Sequence, residues 1–140
     1  DGEFNYRIAQ KGCGFVVVPG AIILHHRPAR FVSHVGRMYK YGIATARIFK
    51  KHPSILRIRW YALPPVFLVL GSIFLGVVGM IFPFAWILLF IGLGAYAALI
   101  LLTMIQVTLR SSNWRSIYVL LLLPVQHVVY ALGFLRALIL

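Results

Sequence analysis

Three apolar runs without Asp, Glu, Lys or Arg dominate the second half of the chain: Tyr61 to Met80, Phe82 to Leu109 and Ser116 to Leu135. At about 1.5 Å of rise per residue, each matches or exceeds the ~20 residues that cross a hydrocarbon core. The pattern therefore predicts about three transmembrane helices, over 61–80, 83–109 and 116–136. Gly79-Met-Ile-Phe-Pro83 is the turn between the first two, short enough to make a tight hairpin. Ser111-Ser-Asn-Trp114, flanked by Arg110 and Arg115, is a polar loop before the third.

Upstream the period changes. Phe31, Val35, Met38, Gly42, Ala46 and Phe49 recur at spacings of three and four, and Arg30, Arg37, Lys40, Arg47 and Lys51 fall on the opposite side. At about 100° per residue the two sets separate, which predicts an amphipathic helix over 29–52, broken by Pro53. A basic helix with an aromatic-bearing apolar face suits the plane of a membrane interface; the plainer alternative is a surface helix packed on a core with solvated charges. Residues 29–60 thus form an interfacial and juxtamembrane segment ahead of a membrane region over 61–140. Before it, Glu3–Lys11 suits a short helix ended by Gly12 and Gly14. Phe15-Val-Val-Val18, the turn dipeptide Pro19-Gly20 and Ala21-Ile-Ile-Leu24 read as strand, turn and second extended piece. Two strands do not make a stable sheet alone, so 1–28 reads as the end of a larger α/β domain continuing upstream. The expected fold is an α+β remnant with a helix and short strands, then an interfacial helix, then about three membrane helices.

Composition sharpens this division. Of 140 residues, 61% are hydrophobic, and the only acids are Asp1 and Glu3. Eleven of the fourteen Lys and Arg residues lie at or before Arg59, and the net charge is +12. A soluble domain would carry about a quarter charged residues. A basic half joined to an apolar half points to anionic membrane lipids or anionic substrates as partners. No signal peptide is visible, and no nucleic-acid signature, glycine-rich phosphate loop or Ser/His/Asp set is present. The lone Cys13 permits no internal disulfide. By the positive-inside rule the basic first half and the Arg110–Arg115 loop are cytoplasmic, and the uncharged Gly79–Pro83 turn lies outside.

Candidate chemistry is sparse. Asp1 and Glu3 could face a divalent cation, but two acids two residues apart also suit the positive end of a helix. His25 and His26 point opposite ways if extended, so one could serve a site; neither has a partner at zinc-ligand spacing. His127 sits inside the third apolar run, either as a functional group or as a neutral imidazole bonded to a neighbouring helix.

Four segments in order resemble the membrane-bound family 2 glycosyltransferases, most closely the succinoglycan-type exopolysaccharide group. Asp1-Gly-Glu3-Phe-Asn-Tyr-Arg7-Ile looks like the tail of the Glu-Asp-x-Asp/Glu-Leu-x-x-Arg motif. The Gly-rich turn, Pro19-Gly20-Ala21 and His26 follow in the expected order. Arg37-Met-Tyr-Lys40-Tyr41-Gly42 sits where the group carries Gln-x-x-Arg-Tyr-Gly, with Arg37 for Gln and Lys40 for Arg. His127-Val-Val-Tyr130-Ala-Leu-Gly133 looks like the C-terminal His-x-x-Tyr-Gly-x-Gly pattern. The resemblance implies the C-terminal part of an inverting enzyme at the cytoplasmic membrane. Such an enzyme moves a sugar from a nucleotide-sugar to a lipid-linked or polysaccharide acceptor. Asp1 falls on the catalytic base; Glu3 and Arg7 fall on supporting positions; Arg37, Lys40 and Tyr41 fall on the motif that meets the donor diphosphate and acceptor. A divalent cation, Mg or Mn, is implied through an Asp-x-Asp motif expected upstream, so this stretch alone is expected to be inactive. A basic, non-enzymatic membrane anchor or adaptor is the alternative reading of the same composition.

Overall fold

The computed structural model of the chain describes residues 2–22, 24 and 30–140. Asp1 and His26, both singled out by the sequence, lie outside the described residues.

Six α-helices run in order: α1 (Gly2–Gln10), α2 (Phe31–Lys51), α3 (Leu56–Arg59), α4 (Pro64–Gly79), α5 (Phe84–Ser111) and α6 (Val119–Ile139), with 3-10 turns at Pro53–Ile55, Trp60–Ala62 and Trp114–Tyr118. Gly12 closes α1 in the left-handed region, at φ 77°, where a Cβ would be strained. His52 ends α2, its N–H donating to the Ile48 carbonyl at 2.8 Å before Pro53 interrupts the ladder. Pro64 and Pro65 open α4, where their missing N–H groups cost nothing.

The expected α+β remnant is not what forms. Among the described residues there is no strand. The Pro19-Gly20 turn is made, with Ala21 N–H donating to the Val18 carbonyl at 3.1 Å, but Phe15–Val18 stands exposed and unpaired, Val16 at 87%. β-branched residues favour a pleated surface only when a neighbouring strand takes up their backbone groups, and none here does.

The expected count of about three membrane helices is also corrected. Among the described residues, two helices are long and apolar enough to cross a membrane, Phe84–Ser111 and Trp114–Ile139. The run over 61–80 yields α4, with 16 residues, or about 24 Å against a core of about 30 Å. Its first residues are used by the Trp60–Ala62 turn and its end by the hairpin at Gly79, whose carbonyl accepts from Trp86 Nε1–H at 3.0 Å. Most side chains of α5 are exposed, Phe90 at 65% and Ile91 at 64% among them. An apolar exterior of that extent is what lipid, rather than water, would cover.

The compact part is the pairing of α2 with α6. The helices run side by side in the same direction: His34 meets Gln126 near their starts, and Arg47 and Lys50 border Arg136 and Leu140 near their ends. Gly42 and Gly133 allow the approach. A Cβ on Gly42 would strike the Tyr130 carbonyl, and one on Gly133 the Tyr39 carbonyl. Ala46, Phe49, Ile55, Val66, Ala131, Phe134 and Ala137 form the buried cluster, with Phe49 edge-on to Phe134 at 5.9 Å. The apolar face of α2 is therefore covered by α6 at Gly42, Ala46 and Phe49, while Phe31 stays about half exposed.

Candidate functional site

Glu3 anchors α1 to the end of α2. Its Oε1 accepts from Lys51 Nζ at 2.8 Å and from His52 Nε2 at 3.2 Å, and Arg7 Nε, one helical turn along, forms an ion pair with it at 3.1 Å. The Lys51 and His52 hydrogen bonds, helped by the charges of Arg7 and Lys51, hold its carboxyl at about 2, well below the usual carboxylate range. Tyr6 adds a second tie: its ring lies 5.0 Å from His52, and its hydroxyl is 2.6 Å from Ser54 Oγ.

Beside this junction opens a cleft of about 1070 Å³ between α1, α2, the approach to α4 and the middle of α6. Its charged walls are Glu3, Lys40, Arg47, Lys51 and Arg59; Tyr41 and Tyr61 supply aromatic surface; Gln126, His127 and Tyr130 close it on the α6 side. With Glu3 bound to its cations, the cleft keeps a net positive charge. The Tyr130 hydroxyl is buried on the α6 side of the cleft, which Thr45 of α2 also lines. The polar groups of α6 are otherwise fixed from outside. His127 Nδ1 lies 2.7 Å from Tyr96 Oη on α5, and His34 Nε2 donates to Gln126 Oε1 at 3.2 Å. A cationic, aromatic-walled cleft with a few fixed polar groups can hold a phosphorylated ligand and orient a ring beside it.

The residues singled out by sequence separate into three groups. Glu3, Lys40 and Tyr41 line the cleft. Arg7 reaches it only through Glu3, and Arg37, half-buried one turn before Lys40, is not part of its lining. Asp1 and His26 are not described. The divalent cation implied by the resemblance finds no ligand set here: among the described residues no three His, Cys, Asp or Glu side chains converge, and Glu3 is already surrounded by cations. Sequence reasoning missed Arg59, Tyr61 and Tyr96. Arg59 falls in the segment expected to approach the bilayer, Tyr61 at the start of the first expected span, and Tyr96 is one hydroxyl in a long apolar run whose polarity is the only available signal. Compared with known proteins, the chain matches no family model, no curated protein and no solved structure.

Proposed function

We propose that the chain is the C-terminal membrane part of an inverting glycosyltransferase. The enzyme passes a sugar from a nucleotide-sugar to a lipid-linked or polysaccharide acceptor at the cytoplasmic face of the cell membrane. One observation carries the reading: three segments that resemble family motifs, far apart in sequence, contribute Glu3, Lys40 with Tyr41, and His127 with Tyr130 to a single positive cleft. In this reading Lys40, Arg47 and Arg59 hold the phosphates of donor or lipid-linked acceptor, and cationic charge stabilises the departing diphosphate. Tyr41 and Tyr61 offer faces to a sugar ring. Glu3, held ionised by its partners, ties α1 to α2; it is itself too weak a base to take a hydroxyl proton, and the expected base is Asp1. The basic first half and the Arg110–Arg115 loop face the cytoplasm, and the Gly79–Pro83 turn faces out.

The test is incorporation of radiolabelled sugar by the protein carrying its upstream reading frame, with donor binding measured in parallel by calorimetry. Lys40→Ala should lower transfer about 10²-fold, the typical loss on removing one group that stabilises developing charge. Asp1→Asn should lower it by about 10²–10⁴-fold, the usual contribution of a general base, and leave donor binding intact. Absence of transfer from every nucleotide-sugar tried would favour the membrane anchor or adaptor.

A further inference from the structure

A second, smaller groove of about 410 Å³ adjoins the cleft at Ile43 and Arg47, where the last turns of α2 meet the end of α6. Its walls carry Arg47, Lys50 and Arg136, and its floor is Ile43, Ala137 and Leu140. Three features make it more than a solvated charge cluster. Arg136 is the only Lys or Arg of α6, and it is held: its Nη1 donates to Tyr39 Oη at 2.9 Å, an anchor the Gly133–Tyr39 backbone approach makes possible. The three cations lack a carboxylate partner among the described residues, where every ion pair uses Glu3 and joins it to Arg7, Lys51 or His52. The floor is apolar and continues into Ile139 and Leu140, which are 83% and 86% exposed.

The geometry points to a binding site for an anionic phospholipid, its phosphate between Arg136 and Lys50 with Arg47 behind, and its acyl chains along Ile43, Ala137 and Leu140. A fixed guanidinium takes a phosphate through two parallel N–H donors, and an ammonium adds a point charge. The apolar floor selects a phosphate that comes attached to hydrocarbon over one free in solution. This site depends on the membrane placement of the chain but not on sugar transfer, because Lys50 and Arg136 are outside the cleft.

The experiment is native mass spectrometry of the full chain released from nanodiscs of phosphatidylcholine mixed with phosphatidylglycerol. Wild type should retain phosphatidylglycerol preferentially. Lys50→Ala with Arg136→Ala should weaken retention roughly 30-fold, about fivefold for each cation at a membrane surface, whereas Arg110→Ala with Arg115→Ala should not. Arg136→Lys, which keeps the charge, should lose far less. Lys50→Glu, at an exposed position that folding tolerates, should weaken retention alone. Wild-type retention in the double variant or in Lys50→Glu would overturn the site. Equal loss in the Arg110 and Arg115 variant would assign retention to diffuse charge. Displacement of the lipid by inorganic phosphate would assign the groove to a soluble anion.

Discussion

Glu3 concentrates Arg7, Lys51 and the His52 ring nitrogen on one carboxylate oxygen. Because its folded-state pKa is lowered from 4.5 to about 2, the contribution it makes to docking α1 is fully present above 4.5. It is lost as pH falls through about 2. A spin label on the exposed Cys13, just past α1, reports this. Its mobility should rise as pH is lowered from 4.5 toward 2, and Glu3→Gln should be mobile throughout with no such dependence. A wild-type label that stays immobile at the acid end would remove Glu3 from the docking. At this scale the sequence was partly legible. The Arg7 contact is a helical i,i+4 pair that spacing alone supplies. Lys51 and His52 lie 48 and 49 residues away, and no local pattern encodes which of eleven early cations a lone carboxylate will choose.

At the level of elements, α2 and α6 are held together by what their glycines lack. Gly42→Ala should push the Tyr130–Phe134 backbone away and Gly133→Ala the Tyr39 carbonyl; each should destabilise by about 3 kcal/mol, the upper end of overpacking losses. Gly36→Ala, on the same helix with open space around it, should stabilise by about 0.5–1 kcal/mol through helix propensity alone. Midpoints of unfolding in an SDS titration would separate the three, and equal midpoints would mean the helices are not in backbone contact. Phe49→Ala should cost about 3–5 kcal/mol, as expected for a buried aromatic. Helical period showed that Phe49 and Gly42 share a face, but period cannot say whether lipid or protein covers it. The same limit explains the failed strands. Phe15–Val18 has strand composition, yet a strand exists only through its partner, and the described chain provides none. It also explains α4, where hydropathy counted twenty uncharged residues and could not see that a 3-10 turn and a hairpin would divide them.

For the whole molecule, the open question is where α6 goes. Its length and apolarity permit a crossing, but its later turns share a buried cluster with α2 and the start of α4. The Trp86–Gly79 bond closes the α4–α5 hairpin at its turn. His127 touches Tyr96, and Ala131 and Phe134, up to two turns further on, share a buried cluster with Val66. The second half of α6 therefore packs beside α2 and the start of α4. That keeps Arg136 with Arg47 and Lys50, which suits the positive-inside rule if the end of α6 stays with α2 on the cytoplasmic side. A crossing α6 would instead carry Arg136, and the end of α2 with it, toward the Gly79–Pro83 turn. The hairpin itself can span despite the short α4, since a bilayer thins around a short apolar stretch at a cost of fractions of a kcal/mol per Å. The prediction uses single cysteines in a Cys13→Ser background and an impermeant thiol reagent added to intact cells. Met80→Cys, 82% exposed at the hairpin turn, should be labelled from outside. Ser112→Cys and Leu140→Cys should react only after the cells are opened. Labelling of Leu140→Cys from outside would mean that α6 crosses after all, and that α2 must part from its second half in the membrane. Labelling of Ser112→Cys from outside would invert the whole orientation and with it the cytoplasmic placement of the cleft.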